Sequence, residues 1–309
     1  MAGWQVTVAL PIVLALIMFG LGLALTVDDF ARVARFPKAV LIALGCQVLV
    51  LPAIAFGLVV LVDLQPQLAV GVMLLAASPG GVTANLLSHL FRGDVALNVT
   101  LTAVNSVLSV VTLPVLTNIA LAYFAPAGRD ELGLQLTKVL QVFAIVLVPV
   151  AVGMLTRRAA PDFARGMDRP VRIVSIGFLA IVTVAAVFAE RANILDYLFD
   201  VGVVVLAFAV TSLALGFWVP AAAGVARAQA VACSMEIGIH NSTLAMTIAI
   251  SVLDDIRMAV PAGVYGIAML PIALVAGALM SRGISPDPAA ARATAVGVTT
   301  RGVRRVWKK

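Results

Sequence analysis

The chain has 309 residues, 62% hydrophobic and 12% charged, with a mean hydropathy of +1.10. A soluble domain carries about 25% charge, so this composition excludes a soluble enzyme or binding module and indicates a polytopic membrane protein. The net charge of +6 is matched by the tail from Arg282 to Lys309, with seven basic residues and one acid, and such a tail on a membrane bundle suits anionic lipid at a cytoplasmic surface better than nucleic acid.

The apolar runs predict nine spanning helices, at 5–27, 38–62, 67–90, 95–124, 134–156, 171–190, 197–219, 228–253 and 258–280. The N-terminal run is apolar from Trp4 without a basic leader region, and reads as a span rather than a cleaved signal. Cys46 and Cys233 both lie in apolar spans and read as small buried hydrophobes, not as a disulfide framework or a zinc site. Of 21 Lys and Arg, only Arg129, Lys138, Arg191 and Arg257 fall on one side of the nine-span scheme, and the other 17 fall opposite. By the positive-inside rule the N-terminus is outside and the C-terminus cytoplasmic, as an odd number of spans requires.

Span 1 ends in Gly20-Leu21-Gly22-Leu23, then Thr26 and Asp28-Asp29-Phe30; its glycines allow close helix packing. Span 2 carries Gln47, either a hydrogen bond to a neighbouring helix or a site residue. Span 3 contains Ser78-Pro79-Gly80-Gly81-Val82-Thr83-Ala84-Asn85. Proline removes a donor and crowds the preceding turn, and two glycines make a straight continuation costly. The helix is expected to break there inside the bundle, where protein or a wet cavity satisfies the freed backbone; a simple kink is the plainer alternative. His89, beside Arg92 at the end of this span, reads as interfacial. Span 4 places Asn98, Thr102, Asn105, Ser109 and Thr112 on one helix face, as interhelical glue or as oxygen ligands. Spans 5, 6 and 7 are apolar, and Arg157, Arg158, Arg165, Arg169 and Arg172 between spans 5 and 6 read as a topology determinant. Glu190, Arg191 and Asp196 read as an outer loop.

Span 8 holds Glu236-Ile237-Gly238-Ile239-His240-Asn241-Ser242-Thr243, and of the chain's 15 acidic residues only Glu236 lies clearly mid-span. A carboxylate at a span centre costs about 2.5–3.5 kcal/mol of insertion free energy on translocon scales, which makes it a functional-site candidate. Spans 3 and 8, five apart and opposite in direction, are both interrupted by glycine and polar residues. Paired interrupted helices of that kind are the pattern of a secondary-transporter site: half-helix N-termini face an anion, while unwound carbonyls and the carboxylate hold cations.

Met18-Phe19-Gly20-Leu21-Gly22-Leu23 with Asp28-Asp29-Phe30, Ser78-Pro79-Gly80-Gly81 through Asn85 with Gly93-Asp94, and Glu236-Ile237-Gly238-Ile239-His240-Asn241 occur in the order seen in the bile acid:sodium symporter family. The chain resembles its bacterial branch up to about residue 280. The resemblance implies an all-α fold of inverted repeats with two broken, crossing helices, interrupted at Pro79, Gly80, Gly81 and Gly238. It implies a panel at 1–30 and 130–190, a core at 36–125 and 196–280, and a basic tail at 281–309. It implies one sodium site of Asn85, Asn98, Thr102 and Glu236, with Ala84 where relatives commonly have serine, and a second of Gln47, Glu236, Ile237, Ile239 and His240, where relatives usually have glutamine at the last position. Thr83 and Asn241 are the implied contacts to an organic anion.

The expected function is therefore sodium-coupled symport of an organic anion — a bile acid-like molecule or a small carboxylate such as pantoate or a keto acid — across the bacterial inner membrane, with Na⁺ as coupling ion and no other cofactor. His240 is a structural hydrogen-bonding group, a proton-coupling group or a selectivity determinant. A proton-coupled or sodium-independent carrier of the same fold is the alternative. A channel is disfavoured because two interrupted helices line a site more naturally than a pore. An enzyme is disfavoured because one mid-span acid, without His-Glu-x-x-His or paired carboxylates, does not make an active site.

Overall fold

The computed structural model describes residues 3–124, 136–167 and 194–284, with positions 170, 173, 174 and 177. Apart from those positions, the predicted span at 171–190 lies outside the described residues, as do Arg129, Arg169, Arg172, Glu190, Arg191 and the tail beyond 284. Every other predicted span is occupied by a helix or a broken helix.

The first is α1 (Gly3–Ala24), followed by the short α2 (Val27–Ala31), and the two bend by 71°. Span 1 therefore ends before the expected residue 27. Thr26 caps α2: its N–H and hydroxyl both donate to Asp29 Oδ2, at 2.6 and 2.8 Å, and Asp29 also pairs with Arg32. Next, α3 (Pro37–Gly45) passes through a π turn (Cys46–Val50) into α4 (Leu51–Leu61). Pro52 brings no N–H to the Val48 carbonyl and its ring crowds it, so the wider turn relieves the clash.

Span 3 is two helices, α5 (Pro66–Ala77) and α6 (Val82–Leu90), bent by 62°. Pro79 forces Ser78 into extended backbone (φ −74°, ψ 139°), which ends α5. The long α7 (Val95–Phe124) starts where Asp94 Oδ1 accepts the Leu97 N–H at 3.0 Å. Its polar stripe faces inward, with Asn98, Thr102, Asn105 and Ser109 buried, while Val107, Val111, Val115 and Ile119 are exposed on the other face. Then come α8 (Leu136–Ala159) and α9 (Ile194–Ala222). Span 8 divides into α10 (Arg227–Gly238) and α11 (Ser242–Ser251), and α12 (Val260–Met280) closes the bundle.

Among the described residues, four helices are long and apolar enough to cross a membrane, and six spans result if each bent pair counts as one. The protein is thus an all-α, multi-pass membrane protein. Small residues set its closest seams. A side chain at Gly22 would strike the Val150 backbone, and one at Gly153 the Phe19 carbonyl, so α1 and α8 meet backbone to backbone. Gly216 brings α9 equally close to Ser234 of α10. Cys46 and Cys233 are buried and free.

Candidate ion and substrate site

The two helix breaks touch. The Asn241 N–H donates to the Pro79 carbonyl at 2.9 Å, and His240 Nδ1 lies 3.1 Å from the Ser78 carbonyl. Gly80 sits directly against the Glu236 carboxylate, for a side-chain carbon at Gly80 would come within 2.5 Å of Oε1. A side chain there would push the Glu236 carboxylate aside. The backbone groups freed at each break are therefore met partly by the other break, as a polar backbone inside a bilayer requires.

Around Glu236 five of the residues singled out in the sequence come together: Gly80, Asn85, Asn98, Thr102 and Asn105. Glu236 is 1% exposed, and its Oε2 accepts the Thr102 hydroxyl at 2.6 Å. Asn85 Nδ2 donates to Thr102 Oγ1 at 3.3 Å, and Asn98 Nδ2 to the Ala232 carbonyl at 2.7 Å. Asn105 and the Gly80 backbone also face the carboxylate. Three buried oxygens keep no hydrogen-bond partner among the described residues: Asn85 Oδ1, Asn98 Oδ1 and Glu236 Oε1. No Lys or Arg among the described residues pairs with Glu236. Ala84 is buried and brings no oxygen.

The second set gathers around Ser78. Gln47, carried on the π turn, donates Nε2 to the Ala76 and Ser78 carbonyls at 3.3 and 3.2 Å. The Ser78 carbonyl thus faces both Gln47 and His240. Since the carbonyl can only accept, the contact assigns a proton to Nδ1, which leaves Nε2 as the acceptor in the neutral ring. Gln47 Oε1 and His240 Nε2 have no partner among the described residues. Phe208 stacks on the imidazole at 5.1 Å, and Tyr265 meets it edge-on at 5.5 Å. Ile237 and Ile239 are buried beside it, Ile239 in extended backbone (φ −117°, ψ 95°).

Thr83 lies half-buried in the first turn of α6. Asn241 caps α11, its Oδ1 accepting the Leu244 N–H at 3.0 Å, so its side-chain amide N–H groups are what it has left to offer a ligand. His89 is exposed, as an interfacial group would be.

Tyr265 was not foreseen from the sequence. It is fully buried, and its hydroxyl donates to the Gly238 carbonyl at 2.6 Å, holding the end of α10 at the break. The available signal was a tyrosine inside an apolar span, whose hydroxyl must find an acceptor when buried.

A model of the Sodium Bile acid symporter family matches residues 11–197. The chain belongs to that family. Its relatives include the "uncharacterized sodium-dependent transporter YocS" of Bacillus subtilis, 30% identical over 260 residues, which are 84% of this chain and 78% of that protein. A "probable sodium/metabolite cotransporter BASS2, chloroplastic" of Oryza sativa subsp. japonica is 26% identical over 87% of this chain, but the match spans 63% of its own length. The human "ileal sodium/bile acid cotransporter" is 28% identical over 77% of this chain and 68% of its own. The family model ends at residue 197, whereas Glu236 and the second break follow it.

Proposed function

We propose that this symporter-family member couples the inward movement of Na⁺ to uptake of an organic anion by alternating access. The observation that carries the reading is the trio of buried oxygens without a partner among the described residues, Asn85 Oδ1, Asn98 Oδ1 and Glu236 Oε1, on three helices that hydrogen bonds tie around one carboxylate. Carboxylate and amide oxygens suit a hard cation, and a cation offsets the cost of a buried unpaired charge. Asn85, Asn98, Thr102 and Glu236 are the proposed sodium centre. Gln47, Glu236, Ile237, Ile239 and His240 form the proposed second cation centre. Thr83 and Asn241, at the starts of α6 and α11, are proposed to meet the anion, where helix N-termini favour negative charge.

The proposed scaffold has nine spans in inverted repeats, N-terminus outside and C-terminus cytoplasmic, in a plasma membrane. The proposed panel is 1–30 and 130–190, the core 36–125 and 196–280, and the basic tail 281–309. The tight α1–α8 seam and the interlocked breaks support two bodies. The relatives' printed names give the anion's range, from metabolites to bile acids. A second reading replaces one Na⁺ by H⁺, and the bare Nε2 of buried His240 favours it.

The test is the melting temperature of purified protein across a Na⁺ series, with choline holding ionic strength and Glu236→Gln in parallel. A ligand at 100 times its dissociation constant stabilises by about 2.7 kcal/mol. A sodium-specific rise that the variant lacks is expected; an equal rise in the variant removes Glu236 from the centre.

A further inference from the structure

Hydrogen-bonding positions on three helices step in register away from Glu236. On α6 they are Asn85 and Ser88; on α7 and the residue before it, Thr102, Asn98 and Asp94; on α10, Glu236 and the backbone carbonyls of Ala232 and Ala228. Spacings of three and four keep each set on one helix face, and four residues advance about 6 Å along the axis. Hydrogen bonds form the rungs: Thr102 Oγ1 to Glu236 Oε2 at 2.6 Å, Asn98 Nδ2 to the Ala232 carbonyl at 2.7 Å, and the Asp94 N–H to the Ala228 carbonyl at 2.9 Å. Ser88 belongs to the middle rung. A side-chain carbon at Gly93 would lie 2.5 Å from Ser88 Oγ and 3.1 Å from the Ala232 nitrogen.

That middle rung holds two unmet acceptors. Ser88 is fully buried, and neither its Oγ nor Asn98 Oδ1 has a hydrogen-bond partner among the described residues. A buried hydroxyl left unmet is destabilising, so packing alone favours alanine at Ser88. Gly93 packs directly against this hydroxyl, where any side chain would strike it, and Ala228 and Ala232 keep the α10 side small. Asp94 stands half-buried at the end of the column.

We propose that this column is the route by which the coupling Na⁺ leaves the Glu236 centre, passing from Asn98 at the centre's edge to Ser88 Oγ as an intermediate station, with Asp94 at the mouth. The proposal rests on the sodium-coupled reading above and on its topology, which puts Asp94 on the cytoplasmic side. Arg92 and Arg227 flank the mouth, drawn onto the Ile284 and Met280 carbonyls at 2.8 and 3.0 Å.

The experiment is binding of ²²Na⁺ to the purified full-length protein, at equilibrium and as dissociation after dilution into unlabelled Na⁺. Ser88→Thr and Ser88→Val are nearly equal in size and differ in the hydroxyl. The expected result is dissociation near the parent rate for the threonine variant and at least fivefold slower for the valine variant, both with equilibrium affinity within about twofold. Gly93→Ala, which narrows the same passage, is expected to slow dissociation too and covers the case where the valine variant fails to fold. Equal rates in the two Ser88 variants overturn the route. An affinity loss in the valine variant makes Ser88 part of the centre itself and overturns the station. Specific binding lost in Glu236→Gln supports the sodium-coupled reading whatever the Ser88 variants do. No specific binding to the parent protein overturns that reading, and the route with it.

Discussion

At the scale of single residues, chemistry that a bilayer penalises was the easiest to find. Glu236 declared itself as a mid-span acid, and Asn98 and Thr102 through a period that put them on one face. Asn85, Gln47 and His240 needed the resemblance as well, because a lone amide or imidazole in a span is as often a tie between helices. Tyr265 stayed hidden because a tyrosine in an apolar run reads as core until its hydroxyl's partner is visible. Removing that hydroxyl leaves the Gly238 carbonyl unmet, so Tyr265→Phe is expected to cost about 1–3 kcal/mol; thermal unfolding measures it, and an unchanged melting point would show that water replaces the bond. Gly80→Ala is expected to abolish the sodium-dependent thermal shift, since the added carbon lands on the carboxylate. A retained shift would mean that Glu236 turns aside and still binds. His240→Gln replaces a bare nitrogen with an oxygen and is expected to lower the Na⁺ concentration for half-maximal stabilisation. No change would leave His240 as the hydrogen-bond partner of Ser78 alone.

At the scale of elements, interruptions were legible where proline and glycine caused them and obscure where side chains did. Pro79-Gly80-Gly81 marks the first break in the sequence itself. The 71° bend after α1 did not show, because its cause is a capping box: Thr26 and Asp29 three residues apart, read only as the end of a span. The π turn that carries Gln47 was equally hidden, although Pro52, four residues past Val48, was its signal. Close seams follow a simpler rule. A valine at Gly22 or Gly153 has no flexible neighbour to displace, only backbone. Either substitution is expected to separate α1 from α8 and lower the melting temperature by several degrees, whereas valine at Gly57, where the space is open, is expected to be silent. Equal behaviour of the three variants would show that the seam is not tight in the membrane.

At the scale of the whole molecule, hydropathy located the spans among the described residues to within a few residues. What composition could not convey is which spans lie together, because apolar faces are interchangeable to a bilayer and only the paired backbone groups distinguish one neighbour from another. Orientation is testable with single cysteines. Asp63→Cys is expected to react with an impermeant maleimide in intact cells and Arg92→Cys only after permeabilisation, with little background from buried Cys46 and Cys233. The reverse pattern would invert the topology. The contact between the two breaks is fastened largely on main-chain carbonyls: those of Pro79 and Ser78 receive the Asn241 N–H and the His240 ring. A main-chain carbonyl is the same whatever residue bears it. Side chains proposed to meet the cargo, such as Thr83, can therefore drift over evolutionary time without unfastening that contact, and a single scaffold can be handed from one metabolite to another by changes that never touch its joints.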